Sequence, residues 1–164
     1  MTQALPPEAA GMVFRRCRSS SERRAVGRLL AERGSTQDEP GVVGTDLFGL
    51  WDLTAPAGEA LAGAAAVGPL GDGGEVQLRG IAVTAVEGHR GLDRRLVCEV
   101  ADSLRARGAA RLVAWSAGGA GPAPRLLRSA GFVPTGAGRA PTEVSAPRTG
   151  APADDEASWW ELEL

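Results

Sequence analysis

One stretch of the 164-residue chain concentrates the groups that could bind or transfer something: Ile81-Ala82-Val83-Thr84-Ala85-Val86-Glu87-Gly88-His89-Arg90-Gly91-Leu92-Asp93-Arg94-Arg95-Leu96-Val97. It joins a β-rich run to an amphipathic one through a turn that holds two glycines. Such a turn gathers unpaired backbone N–H groups at a helix start, where the helix dipole favours an anion. Glycines let the backbone come close to a diphosphate. Arg90, Arg94 and Arg95 add positive charge at the same place. On these grounds alone the stretch is a phosphate-site candidate, and an ordinary strand-to-helix turn with a solvated arginine face explains it at least as well. His89, the only histidine, falls within the turn, whose backbone would face the anion and leave the imidazole to solvent.

The elements that must position this stretch are legible from apolar spacing. Met12 to Arg18 alternates as an edge strand should. Ser19, Ser20 and Ser21 offer an N-cap to a helix with Val26, Leu29 and Leu30 as its stripe and Gly34 as its stop. Leu47 to Leu53 and Leu61 to Pro69 read as antiparallel strands joined around Pro56 and Gly58. The alanines of the second would also suit a helix, but its length and flanking Gly and Pro favour a strand. Glu75 to Thr84 is β-rich. Arg90 to Arg107 is the clearest helix, with Leu92, Leu96, Val97, Val100, Ala101 and Leu104 at helical spacing and Gly108 to close it. Arg111 to Ser116 reads as a central strand and Ala123 to Ala130 as a helix. Phe132 opens another strand, and Trp159 to Leu164 is the last. Residues 1–11 read as a flexible N-terminus and 12–164 as one domain. Within it, 133–157 is rich in Gly, Pro, Ala and acids and reads as a long mobile loop. The order predicts an α/β (α+β) class with a mixed sheet flanked by helices.

Composition excludes several functions. Eighteen basic against twenty acidic residues give a net charge of -2, so no one-signed field points to nucleic acid or to a membrane surface. No apolar run approaches the roughly 20 residues of a membrane span. The start lacks a basic region and does not resemble a signal peptide. Cys17 and Cys98 are read as buried free thiols, which fits a cytoplasmic protein. No metal-ligand cluster is evident. The chain has no Lys, Asn or Tyr, a pattern that fits a GC-rich genome and makes single absences weak evidence.

The stretch from Ile81 to Val97 resembles the signature of the GNAT superfamily of N-acetyltransferases. There a strand leads to Gln/Arg-x-x-Gly-x-Gly/Ala and then to a helix with paired aliphatic residues. Gly88 stands at the Gln/Arg position, Gly91 at the first Gly, Asp93 at the Gly/Ala, and Leu96-Val97 at the aliphatic pair. Ala106 to Leu112 is similar to the family's helix end and following strand. Ala123 to Phe132 is similar to its later helix, which ends in Gly-Phe. The resemblance implies a sheet splayed between the fourth and fifth strands, beside Val83 and Trp115. It implies acetyl-CoA as co-substrate, with no metal. The backbone of Ile81, Ala82 and Val83 would hold the pantetheine arm, and Gly88, His89, Arg90, Gly91, Leu92, Asp93 and Arg94 would cradle the pyrophosphate. Acetyl would pass by direct attack to an amine of a small molecule or a protein.

The sequence departs from that pattern in three places. Gly88 has no side chain to offer. Asp93 brings a carboxylate where the diphosphate needs a small neutral residue. Leu127 stands where the family often has a Tyr that protonates the leaving thiolate. The catalytic residues are therefore unassigned, with Glu75, Gln77 and Ser116 as candidates. Gln77 falls where some relatives place a basic Glu, and a Gln cannot act as a base. Glu75 shares its strand face. Ser116 either contacts substrate or closes its strand. Trp159 and Trp160 read as packing. The alternative is a catalytically degenerate GNAT-like domain that binds acyl-CoA or a protein partner without turnover. A third reading is an oligomerising module, a homodimer paired through the Trp-bearing terminal strand.

Overall fold

The computed structural model describes residues 11–32, 45–56, 58–69, 73–84, 91–116, 122–136 and 158–164. The elements are β1 (Met12–Arg16), α1 (Ser20–Glu32), β2 (Asp46–Asp52), β3 (Ala60–Val67), β4 (Glu75–Val83), α2 (Leu92–Ala106), β5 (Arg111–Ser116), α3 (Pro124–Ser129), β6 (Val133–Gly136) and β7 (Ser158–Glu163). The seven strands form one sheet in the order β1-β2-β3-β4-β5-β7-β6. Every neighbouring pair is antiparallel except β4 and β5, which run parallel. A parallel pair needs a crossover, and α2 provides it.

Helix α1 covers one face and α2 with α3 the other, because alternate residues of each central strand point to opposite sides. Val26, Leu29 and Leu30 of α1 pack with Leu47, Trp51, Ala64, Ala66 and Ala82. Leu96, Val97, Val100 and Leu104 of α2 pack with Ala65, Val67, Val76, Leu78 and Ile81 on the other side, together with Leu127, Phe132 and Trp160. The alanines of β3 make sense in this place. A central strand with a helix on each face needs small side chains if both helices are to lie close. At Gly63 even a methyl would meet Leu96 Cδ2 at 3.2 Å.

The helix ends follow their capping chemistry. The backbone N–H of Glu22 donates to Ser19 Oγ (3.1 Å), and the Glu22 carboxylate accepts from the backbone N–H groups of Ser19 (3.3 Å) and Arg18 (2.8 Å). This is a reciprocal capping box. Gly108, at φ 86°, closes α2, where its N–H bonds Arg105 O and the Ala109 N–H bonds Leu104 O.

Three expectations change. The stretch expected to be a mobile loop begins with four residues of strand, β6, and its remainder lies outside the described residues. Trp159, Trp160 and Glu161 of β7 are paired to β5 on one side and β6 on the other, so this strand offers no edge for a homodimer to extend. Cys17 is buried, but Cys98 is exposed, since it lies off the apolar stripe of α2. Burial pushes the Cys17 thiol up to about 11. None of the described helices is long and apolar enough to cross a membrane.

Candidate functional site

The defining feature is the way β4 parts from β5. Their ladder runs from Glu75↔Arg111 to Leu78↔Ala114 and stops. Strand β4 stays with β3 as far as Val83, and β5 stays with β7 as far as Ser116. The separation begins at a bulge. The β3–β4 register jumps from Val67↔Leu78 to Ala66↔Gly80, which leaves Arg79 as the extra residue. A bulge bends and twists its strand, so β4 turns away from β5 at the residue after their last pair. The sequence carries the trace of this. The apolar positions facing α2 run Val76, Leu78, then Ile81, Val83, so the period of two slips by one at Arg79.

Past the bulge, the Thr84 N–H donates to Ala62 O (2.9 Å), which fixes the alternation. Ala82 also directs its backbone groups to β3, and Ile81 and Val83 direct theirs into the gap that β5 has left. Ile81 and Ala82 are each 5% exposed, so this edge is lined by apolar side chains and presents its polarity through the main chain.

Helix α2 begins at the same end of the sheet. Its Leu96 lies against Gly63, whose partner in β4 is Val83. Its far end is tied by Arg107 to Asp46 (2.8 Å) at the opposite end of the sheet. The N-cap, Gly91, has φ 78° and no side-chain cap, a conformation that a side chain resists. The Arg95 N–H bonds Gly91 O (3.1 Å), and Leu92, Asp93 and Arg94 supply the earlier N–H donors of the first turn. One of these is engaged: Asp93 Oδ1 accepts the N–H of Arg94 at 2.7 Å. Arg94 is exposed, and Arg95 lies 3.6 Å from Glu99 one turn along. Gly88, His89 and Arg90 lie outside the described residues.

The polar candidates are dispersed. Glu75 sits at the closed end of β4, 3.5 Å from Arg111, and roughly 25 Å along the strand from Val83 at about 3.3 Å per residue. Gln77 is on the same face within the paired segment and lies beside Val113. Ser116 is the one at the open end: it is 3% exposed and ends β5 beyond the last β4 pair. Leu127 is wholly buried in the main core, so at this position α3 contributes packing. Sequence reasoning passed over one feature, the directly opposed pair Trp115↔Trp159 on β5 and β7, which borders the open end on the face away from Ala114 and Trp160. Trp160 packs in the core, with the Arg128 guanidinium 5.5 Å from its ring centre.

The β4 edge is thus apolar in its side chains and polar in its main chain, and the first turn of α2 holds N–H donors with the Asp93 carboxylate among them.

No protein-family model and no curated protein matches the chain. Solved structures match it closely in shape. A protein assigned to the GNAT family of acetyltransferases, from Desulfovibrio desulfuricans, superposes with a TM-score of 0.66 over 93% of this chain and 98% of its own, at 24% identity. The ribosomal-protein-S18-alanine N-acetyltransferase of Escherichia coli gives 0.66 over 93% and 94%, at 20% identity. The spermidine N-acetyltransferase of Vibrio cholerae, solved with CoA and spermine, gives 0.66 over 94% and 96%, at 12% identity. The seven-stranded mixed sheet, parted between β4 and β5, thus has the fold of the GNAT N-acetyltransferases.

Proposed function

We propose that the chain is an acyl-CoA-dependent N-acetyltransferase that transfers acetyl to an amine of a small molecule or protein. The observation that carries this reading is the gap beyond Leu78↔Ala114, which opens beside the start of α2. The proteins of like fold include N-acetyltransferases of a polyamine and of a protein amine, which supports an amine acceptor here.

When bound, acetyl-CoA supplies an activated thioester carbonyl. In this reading the N–H and C=O groups of Ile81 and Val83 pair with the amides of pantetheine as a further strand would, with Ala82 filling the opposite face. As the family resemblance implies, N–H groups from Gly88 through Asp93 would receive the pyrophosphate, with Arg90 and Arg94 adding charge. The apolar walls keep water from the thioester. Ser116, at the open end, is the polar contact proposed for substrate. The chain has no Tyr to protonate the departing sulfur, but a thiol is a far stronger acid than an alcohol, so the C–S bond breaks to release a thiolate, which takes a proton from solvent as the attacking nitrogen loses one. Free amine is the species that attacks.

The buried Leu127 and the carboxylate of Asp93 favour a second reading, a domain that holds acyl-CoA without turnover. Calorimetric titration with acetyl-CoA, followed by assay of thiol release against a panel of polyamines, amino acids and peptide N-termini, separates the two. Binding with amine-dependent thiol release is the expected result. Binding without release from any acceptor selects the second reading, and absence of binding rejects both.

A further inference from the structure

The bulge that parts β4 from β5 is held by its own side chain. A bulge leaves one residue outside the ladder. The residue beside Arg79 is Gly80, which has no side chain to decide which of the two is left out. With Gly80 as the extra residue, Arg79 would pair with Ala66, and the partners from Ala65↔Ile81 onward would stay as they are. Strand β4 would then run straight for one residue more. Its ladder with β5 would gain Arg79↔Trp115 after Leu78↔Ala114, and the gap would open one pair later.

The Arg79 side chain settles this choice. It packs over Gly68, where a Cβ would stand 3.1 Å from its Nε and 3.5 Å from its Cζ and Nη2. Its Nη1 donates to Thr45 Oγ1 (3.5 Å). One side chain thus links β4 to the residue after β3 and the residue before β2. Both anchors are themselves fixed. The Gly68 N–H donates to Gln77 O (2.8 Å), and Thr45 is 9% exposed, with its carbonyl accepting from Arg23 of α1 (3.4 Å). Gly68 is not one of the glycines with positive φ, so its missing side chain serves as room for Arg79 and not as a turn.

Resting on the acyltransferase reading above, we propose that Arg79 is a positioning residue for acyl-CoA. Lying over Gly68, it remains the extra residue, fixes where β4 leaves β5, and so sets the line of the Ile81–Val83 edge beside which pantetheine would lie. It touches no reacting atom and acts through the strand.

The test is calorimetric titration with CoA of the full chain as wild type, Arg79→Ala, Gly68→Ala, the double variant and Arg23→Ala, with folding checked by circular dichroism. Arg79→Ala should bind CoA about fivefold or more weakly, and Gly68→Ala, whose methyl displaces the guanidinium, should also lose affinity. In the double variant that methyl has nothing to displace, so the losses should not add, and affinity should match Arg79→Ala within about twofold. Arg23→Ala removes a contact to the same Thr45 without touching β4, and it should bind CoA as the wild type does. A role in stability alone would leave the CoA affinity of every folded variant unchanged. A folded Arg79→Ala that binds CoA within about twofold of wild type therefore overturns the proposal and leaves the acyltransferase reading standing. So does an equal loss in Arg23→Ala, or additive losses in the double variant. Should Arg79→Ala fail to fold, Gly68→Ala decides: weaker binding upholds the proposal and unchanged binding overturns it. If the wild type binds no CoA, the acyltransferase reading falls and takes this proposal with it.

Discussion

The two ends of the β4–β5 pair are built from the same strands and treat their polar groups in opposite ways. At the closed end, four consecutive residue pairs complete the ladder. Arg111 reaches Glu75 on one side and Glu161 on the other, and Asp46 is held by both Arg16 and Arg107. At the open end, the backbone of Ile81 and Val83 faces a gap, and the start of α2 has no side-chain cap from Gly91. The closed end uses its hydrogen-bonding capacity internally, as a folding domain must. Among the described residues, no strand pairs with the open end of β4 on that side, and this is where the proposed acyl-CoA would lie. One extra residue, Arg79, separates the two behaviours.

Three substitutions probe this contrast, and a fourth serves as a reference away from it. The largest effect is expected at the last closed pair. Leu78 is fully buried, so Leu78→Ala should cost about 2–5 kcal/mol through lost burial and the cavity left behind. Urea unfolding measures it, and a loss under 1 kcal/mol would mean that the core is not anchored there. Next comes a pair of proline substitutions at adjacent residues. Ala82→Pro removes an N–H from the β3–β4 ladder and should cost on the order of 3 kcal/mol, whereas Val83→Pro removes one that faces the gap, as prolines at strand edges do, and should cost far less. Val83→Pro should instead weaken CoA binding. Equal destabilisation by the two would refute the alternation that points Val83 into the gap. The smallest effect lies away from both ends. The backbone N–H of Arg18, then Arg15, then the N–H of Ser19 hold the Glu22 carboxyl down to about 2 from its ordinary 4.5. A depressed acid stabilises the fold above its unfolded pKa, and that stability fades as pH falls from about 4.5 towards 2. Thermal unfolding temperatures should drop across this window in the wild type and less steeply in Glu22→Gln. Identical slopes would remove Glu22 from the account.

Much of the fold could be read from local pattern. The stripe of α2, the serines before α1 and the glycines after the helices each act within a few residues, and the structure places those elements within two residues of where spacing puts them. Even the bulge left its mark in the slipped apolar period of β4. What could not be read was the choice of strand neighbours. β7 lies between β5 and β6 although β6 precedes it in the chain, and this pairing is decided by which apolar faces can meet across long separations. That is why the Trp-bearing strand read as a potential edge and lies inside the sheet, and why Trp115 and Trp159 were not seen as partners. The gap was expected from family resemblance, whereas its cause, a bulge one residue past the final pair, came from the register.

The missing side chain at Gly63 also has a dimensional consequence. The space above it is taken by Leu96, and a methyl there would stand 3.2 Å from Leu96 Cδ2, closer than side chains ordinarily pack. The room left for Leu96, and with it the seat of the α2 start beside Val83, thus depends on a residue that does not itself face the gap.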